Sequence, residues 1–178
     1  MQFSDPEKNI RQFELEPGMM VADFGAGSGF YTINAAQEVG SSGKVYSIDI
    51  QKDLLSRIQH TAREYELDNV EILWGDLEMD RGSTLGDGSM DAVIASNLFF
   101  QLDKSKRDSV VKEAGRILKS KGKMLVIEWS DSFGGLGPAP QDIIPENILR
   151  NMFESNGFVI ERNILGGAHH YGFIARKV

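Results

Sequence analysis

A chain of 178 residues has the length of one domain, and 41% hydrophobic against 25% charged residues is the balance of a globular protein with a real core. A formal net charge of −7, with no Lys/Arg cluster longer than Lys119–Lys123, disfavours nucleic acid as a partner. There is no cysteine, which excludes disulfides, zinc–thiolate sites and thiol nucleophiles, and no apolar run reaches the ~20 residues of a membrane span.

The elements alternate regularly. Asp5-Pro6 is an N-cap followed by proline at the first helical position, and opens a short helix with Ile10 and Phe13 on one side. Residues 1–16 are thus expected to form a helical extension of a single domain spanning 1–178. The polar Met1–Glu16 stretch has no signal-peptide pattern, so a cytoplasmic location is expected. Met19–Phe24 is a continuous apolar run ended by glycines, as in a strand buried on both faces. A helix over Tyr31–Val39, a strand over Val45–Ile50, a helix bearing Leu54, Leu55, Ile58, Ala62 and Tyr65, and a strand over Val70–Trp74 follow. Residues 78–88 read as a polar connection.

Met90–Ala95 is the fourth strand. Val110, Val111, Ala114, Ile117 and Leu118 keep helical spacing, with Asp103 placed as the N-cap. Lys121-Gly122 turns the chain into the fifth strand, Lys123–Trp129. A Gly/Pro-rich loop, Phe133–Pro140, suits either a lid on the binding side or a stiffened connector. A helix with Ile148, Leu149, Met152 and Phe153 ends at Gly157, and Phe158–Leu165 and Tyr171–Val178 form an antiparallel pair around Gly166-Gly167. The order predicts a doubly wound α/β fold: a seven-stranded, mostly parallel sheet with a C-terminal antiparallel hairpin and helices on both faces.

Asp23-Phe24-Gly25-Ala26-Gly27-Ser28-Gly29 follows a strand and opens a helix. Glycines there accept positive φ and close ligand approach, and the helix N-terminus offers free N–H groups. In such sheets ligands bind outside the carboxyl ends of the strands, where the strand order reverses. Asp49 ends the second strand, where a carboxylate can accept both hydroxyls of a ribose. Gly75-Asp76-Leu77 ends the third, where a carboxylate can reach an adenine amino group. The G-x-G-x-G spacing, with Phe30 where a dinucleotide loop has its third small residue, and an acid at Asp23 suited to an amino-acid ammonium, weigh against a pyrophosphate. A small NAD-dependent reductase remains the weaker alternative, because no catalytic constellation for hydride transfer is evident.

The set Val21–Gly29, Ser47–Ile50, Gly75-Asp76, Asp91–Asn97 and Leu118–Lys123 resembles the class I methyltransferases, in particular small ubiquinone-methyltransferase-like proteins. The resemblance implies a Rossmann-like sheet, S-adenosylmethionine as cofactor and a small-molecule methyl acceptor. It places the methionine part on Asp23, Gly25, Ala26, Gly27, Gly29 and Tyr31, and the ribose on Asp49. Ile50, Gly75, Leu77 and Asp76 would surround the adenine, with Asn97 and Phe99 facing the methyl-transfer cavity. A non-catalytic binding module of the same fold is the other reading. The aromatic rim of Phe99, Phe100 and Phe133 suits an uncharged or apolar acceptor, and no metal site is expected. Without cysteine, a cysteine nucleophile at pyrimidine C5 and the cysteine-based arsenic route are both excluded, and Ser96-Asn97-Leu98-Phe99 is not the signature of amino-group methylation. His169 and His170 are expected in the final turn, as a solvated pair or as a base or acceptor-binding group; His60 reads as a surface residue.

Overall fold

The computed structural model describes residues 4–178. Residues 1–3 of the expected N-terminal extension lie outside them. The chain runs α1 (Pro6–Phe13), β1 (Met20–Phe24), α2 (Phe30–Val39), β2 (Lys44–Asp49), α3 (Lys52–Glu64), β3 (Val70–Trp74) and β4 (Met90–Ser96). It continues through α4 (Arg107–Ile117), β5 (Leu118–Trp129), α5 (Glu146–Ser155), β6 (Phe158–Gly167) and β7 (His170–Lys177). One seven-stranded sheet has the order β3-β2-β1-β4-β5-β7-β6. The first five strands are parallel, and β7 lies antiparallel between β5 and β6. The strand order reverses between β1 and β4, so the crevice at their carboxyl ends is where a ligand belongs. Among the described residues, no helix is long and apolar enough to cross a membrane.

The continuous apolar strands are explained by burial on both sides. Successive side chains of a strand point to opposite faces. Ala22, Val93, Val126 and Phe173 accordingly join one core with α4 and α5, whereas their neighbours Val21, Ile94, Leu125 and Ile174 join a second with α1 and α2. In the first core Phe153 is a fully buried hub: its ring meets Phe99, Phe158 and Phe173 edge-on, at centroid distances of 5.8, 5.3 and 5.4 Å. Truncating it leaves a cavity ringed by three aromatics. Phe153→Ala is expected to destabilise the fold by about 3–5 kcal/mol, read as a lower urea midpoint at unchanged m-value.

The helix α1 forms as its sequence implies. Asp5 caps it by accepting from Lys8 N–H at 3.2 Å, and Glu14 in the left-handed region closes it. Buried Asn9 and half-exposed Gln12 then tie α1 to the end of β6 through Gly166 O and the backbone of Leu165.

Three local expectations are corrected. Asp103 does not cap α4, which begins at Arg107; its carboxylate instead accepts from Ser105 N–H and O–H at 2.8 and 2.7 Å, closing a separate turn. The Lys121-Gly122 turn lies within β5, because Leu118 already pairs with Met90 before an irregularity and Lys123 resumes opposite Ala92. His170 is not in the last turn: it pairs with Trp129 of β5 and Gly167 of β6 as the first residue of β7.

Candidate functional site

The glycine loop folds back over β2. Gly25 and Ala26 donate their N–H groups to Ile48 O at 2.9 and 3.0 Å, a path that places Gly25, Gly27 and Gly29 at φ of +65°, +53° and +81°. A Cβ on Gly25 would stand 2.7 Å from Leu98 Cδ1, and one on Gly29 2.6 Å from Ile58 Cγ1. At Gly27 a Cβ would meet only Gly25 O, at 3.8 Å, and would otherwise protrude into open space. Two glycines thus serve close packing, and the third keeps a cradle clear.

Asp49, at the end of β2, organises the loop from the other side. Its carboxylate is nearly buried and accepts from Gly27 N–H at 3.0 Å and Gln51 N–H at 2.8 Å. Asp23 lies behind the loop, accepting from the Thr32 hydroxyl at 2.6 Å, with Ser47 a further 3.0 Å from that hydroxyl. Burial, reinforced by the nearby Asp49 charge and opposed by the Thr32 bond, pushes Asp23 up to about 7.

Two adjoining cavities share Gly25, Gly27 and Gln101 in their walls. One, of about 400 Å³, is lined by Asp49, Ile50, Gly75, Asp76 and Leu77 together with Leu54, Leu98 and Leu102. There Asp76 also accepts from Glu78 N–H at 3.0 Å. The other, of about 540 Å³, takes in Asp23, Ala26, Tyr31 and Asn97, and adds Phe30, Trp129 and His170. Both volumes fall in the usual range for small-molecule sites. Asn97 holds φ +53°, with its N–H on Ile127 O at 2.8 Å and its carbonyl on Gln101 Nε2 at 2.6 Å. Its side-chain oxygen is buried without a hydrogen-bond partner, a disposition that fits a ligand donor.

The aromatic residues chosen from the sequence go elsewhere. Phe99 is fully buried against Phe153, because a one-turn 3-10 helix over Phe99–Gln101 aims it into the core. Phe100 packs partly buried on that same core. Phe133 is half-exposed and stacks on His169 at 4.3 Å, outside both cavity walls. Phe30, Tyr31 and Trp129 line the larger cavity instead.

Glu128 escaped sequence reasoning. It is buried within β5 and accepts from Phe99 N–H at 2.6 Å, while Arg107 Nε donates to Phe99 O at 2.8 Å. Together they fix the segment that supplies Asn97, Leu98 and Gln101 to the two cavities. Burial pushes Glu128 up to about 7, against the backbone N–H groups of Phe99 and Leu98. An acid directly after the apolar run Met124–Ile127 was the available signal. Among the described residues, no group of three or more His, Asp or Glu is placed to hold a metal ion.

This sheet order, with a glycine cradle after β1 and carboxylates at its flanks, is the fold of the class I methyltransferases. The chain belongs to the methyltransferase domain family, whose model matches residues 15–166. It is 37% identical over 114 residues to an arsenite methyltransferase of Aquipseudomonas alcaligenes, covering 62% of this chain and 32% of that protein. It is 27% identical over 124 residues to a demethylmenaquinone methyltransferase of Geobacillus, covering 70% and 51% of the two chains. The chain therefore spans about a third to about a half of the length of these curated relatives. A SAM-dependent methyltransferase from Aquifex aeolicus superposes at a TM-score of 0.87 with 29% identity, over 99% of this chain and 91% of that one.

Proposed function

We propose that the two cavities together bind S-adenosylmethionine and present its methyl group to a small-molecule acceptor in the larger one. The observation that carries this reading is the division of the site at Gly27. A compartment bearing Asp49 and Asp76 adjoins one bearing Asp23, Asn97 and an aromatic wall, matching a nucleoside joined to an amino acid. The residues present fit the group: the open cradle at Gly27, the partnerless Asn97 oxygen and the buried Asp23 each match a polar part of it.

In this reading Asp49 accepts the ribose hydroxyls, Asp76 faces the adenine amino group, and Ile50, Leu77 and Gly75 surround the ring. Asp23 faces the ammonium, and Gly25, Ala26, Gly27, Gly29 and Tyr31 frame the methionine part. Bound S-adenosylmethionine supplies an electrophilic methyl carbon on a sulfonium leaving group. The chain's own contribution is to orient the acceptor on the wall of Trp129, Phe30 and Tyr31 and to exclude water there. The relatives' names point to arsenite and to a quinone precursor as acceptors of those proteins. The absence of cysteine from these 178 residues argues against a thiolate-bound acceptor. A cytoplasmic location and a small-molecule acceptor are the accompanying expectations.

A thermal-shift panel tests the cofactor assignment. S-adenosylhomocysteine at 100 times its dissociation constant adds about 2.7 kcal/mol of stability, and NADH adds none. Stabilisation by NADH alone overturns the reading. Binding of S-adenosylhomocysteine with no turnover across a broad acceptor screen favours the non-catalytic module.

A further inference from the structure

The two neighbouring histidines near the last turn have different surroundings. His169 lies in the turn, held by Asp131 at 2.7 Å from its Nδ1 and covered by the Phe133 ring. His170, one residue on and inside β7, is buried, stands in the wall of the larger cavity and lies against the Trp129 indole at 4.2 Å. His169 stands outside the strand and His170 opens it, so a single step along the chain separates the imidazole held by Asp131 from the one in the cavity wall.

The titratable side chains that share this cavity with His170 are Asp23 from β1 and Tyr31 from α2. Asp131 and His169 stand on the rim beside it, and Glu128 lies buried next to Trp129 in β5. Asp23 is engaged at its back by Thr32 and sits behind the glycine loop. The Tyr31 hydroxyl is occupied by Asn9 Nδ2 at 2.8 Å and Ser4 Oγ at 3.2 Å, which hold it toward α1. An imidazole is the side chain whose ordinary proton affinity lies nearest neutrality, the value a general base needs.

Resting on the cofactor reading above, we infer that His170 is the general base of this site and that the acceptor carries a dissociable proton on its attacking atom. The acceptor atom forms its bond to the methyl carbon as the carbon–sulfur electron pair returns to sulfur. The acceptor's proton passes to an imidazole nitrogen of His170, and solvent removes it after the product leaves. Atoms and charge balance with no further reactant. His169 is a rim residue with no part in the transfer.

The test uses the full chain and the NMR pH titration of its three histidines, His60, His169 and His170. Two probes are compared: S-adenosylhomocysteine, neutral at sulfur and without the methyl, and sinefungin, in which a carbon replaces the sulfur and an ammonium stands where the transferring methyl would be. If His170 faces the transferring methyl, its titration midpoint falls by about one unit with sinefungin relative to S-adenosylhomocysteine. His60, exposed on α3, does not move. A midpoint equal in both bound complexes overturns the assignment. His170→Gln is expected to bind S-adenosylhomocysteine within about twofold of the parent; a tenfold loss, about 1.4 kcal/mol, makes His170 a cofactor-holding residue and also overturns it. Failure of either probe to bind the parent chain overturns the cofactor reading itself, and this assignment with it.

Discussion

Asp49→Ala is expected to lose at least about a hundredfold in affinity for S-adenosylhomocysteine, equivalent to about 2.7 kcal/mol, by isothermal titration calorimetry. The carboxylate accepts from two backbone N–H groups, those of Gly27 and Gln51, and so connects the cradle to the end of β2. Hydrogen bonds to a charged group contribute about 1.5–3 kcal/mol each. Alanine removes the proposed ribose acceptors and also frees the cradle from β2. Asp49→Asn keeps an acceptor oxygen without the charge and is expected to lose about tenfold, a loss of about 1.4 kcal/mol. Affinity equal to the parent's in Asp49→Ala would place the ribose elsewhere.

Asp23→Asn is expected to act in opposite directions on stability and on binding. Burial raises the folded Asp23 from an ordinary carboxylate value of 3.8 to about 7, so between about pH 4 and pH 7 the folded chain holds a proton that the unfolded chain has released. The stability due to that proton is fully present below about pH 4 and is lost as the pH rises through about 7. Glu128, raised from 4.5 to about 7 by burial, acts with the same sign. The parent is therefore expected to melt lower at pH 8 than at pH 5.5. The neutral amide removes a buried charge at pH 8, and Asp23→Asn is expected to gain about 1–2 kcal/mol there, roughly 2–8 °C in melting temperature. The same variant loses the proposed partner of the ammonium, so its affinity for S-adenosylhomocysteine is expected to fall. In the parent, that affinity weakens as the pH drops below 7 and Asp23 takes up its proton. An Asp23→Asn chain that melts lower than the parent at pH 8 would show the carboxylate to be structural. Such a trade of stability for binding is what a buried charge at a functional site entails.

Much of the architecture was legible because its signals are local. The apolar runs Met19–Phe24 and Met90–Ala95 needed only strand alternation under two-sided burial, and α1 needed only Asp5-Pro6 and its spacing. The cradle was legible for the same kind of reason, since positive φ at three positions within five residues favours glycine whatever surrounds it. Asp49 and Asp76 were found as acids ending strands that had already been placed, and both line the smaller cavity.

The sequence by itself determined the order of elements, the glycine cradle and the carboxylates at the strand ends, since each follows from backbone conformation and periodicity within a few residues. Only the tertiary structure decided which side chains the cavities receive. Phe99 goes to the core because Glu128, 29 residues away, holds Phe99 N–H and fixes the turn that aims its ring, and Trp129 reaches the cavity as the last residue of β5. His170 faces the cavity because β7 begins one residue after His169, a boundary set by pairing with Trp129 and Gly167 on two other strands. Side-chain direction at such places depends on hydrogen bonds between segments far apart in the chain, and no local pattern encodes those partners.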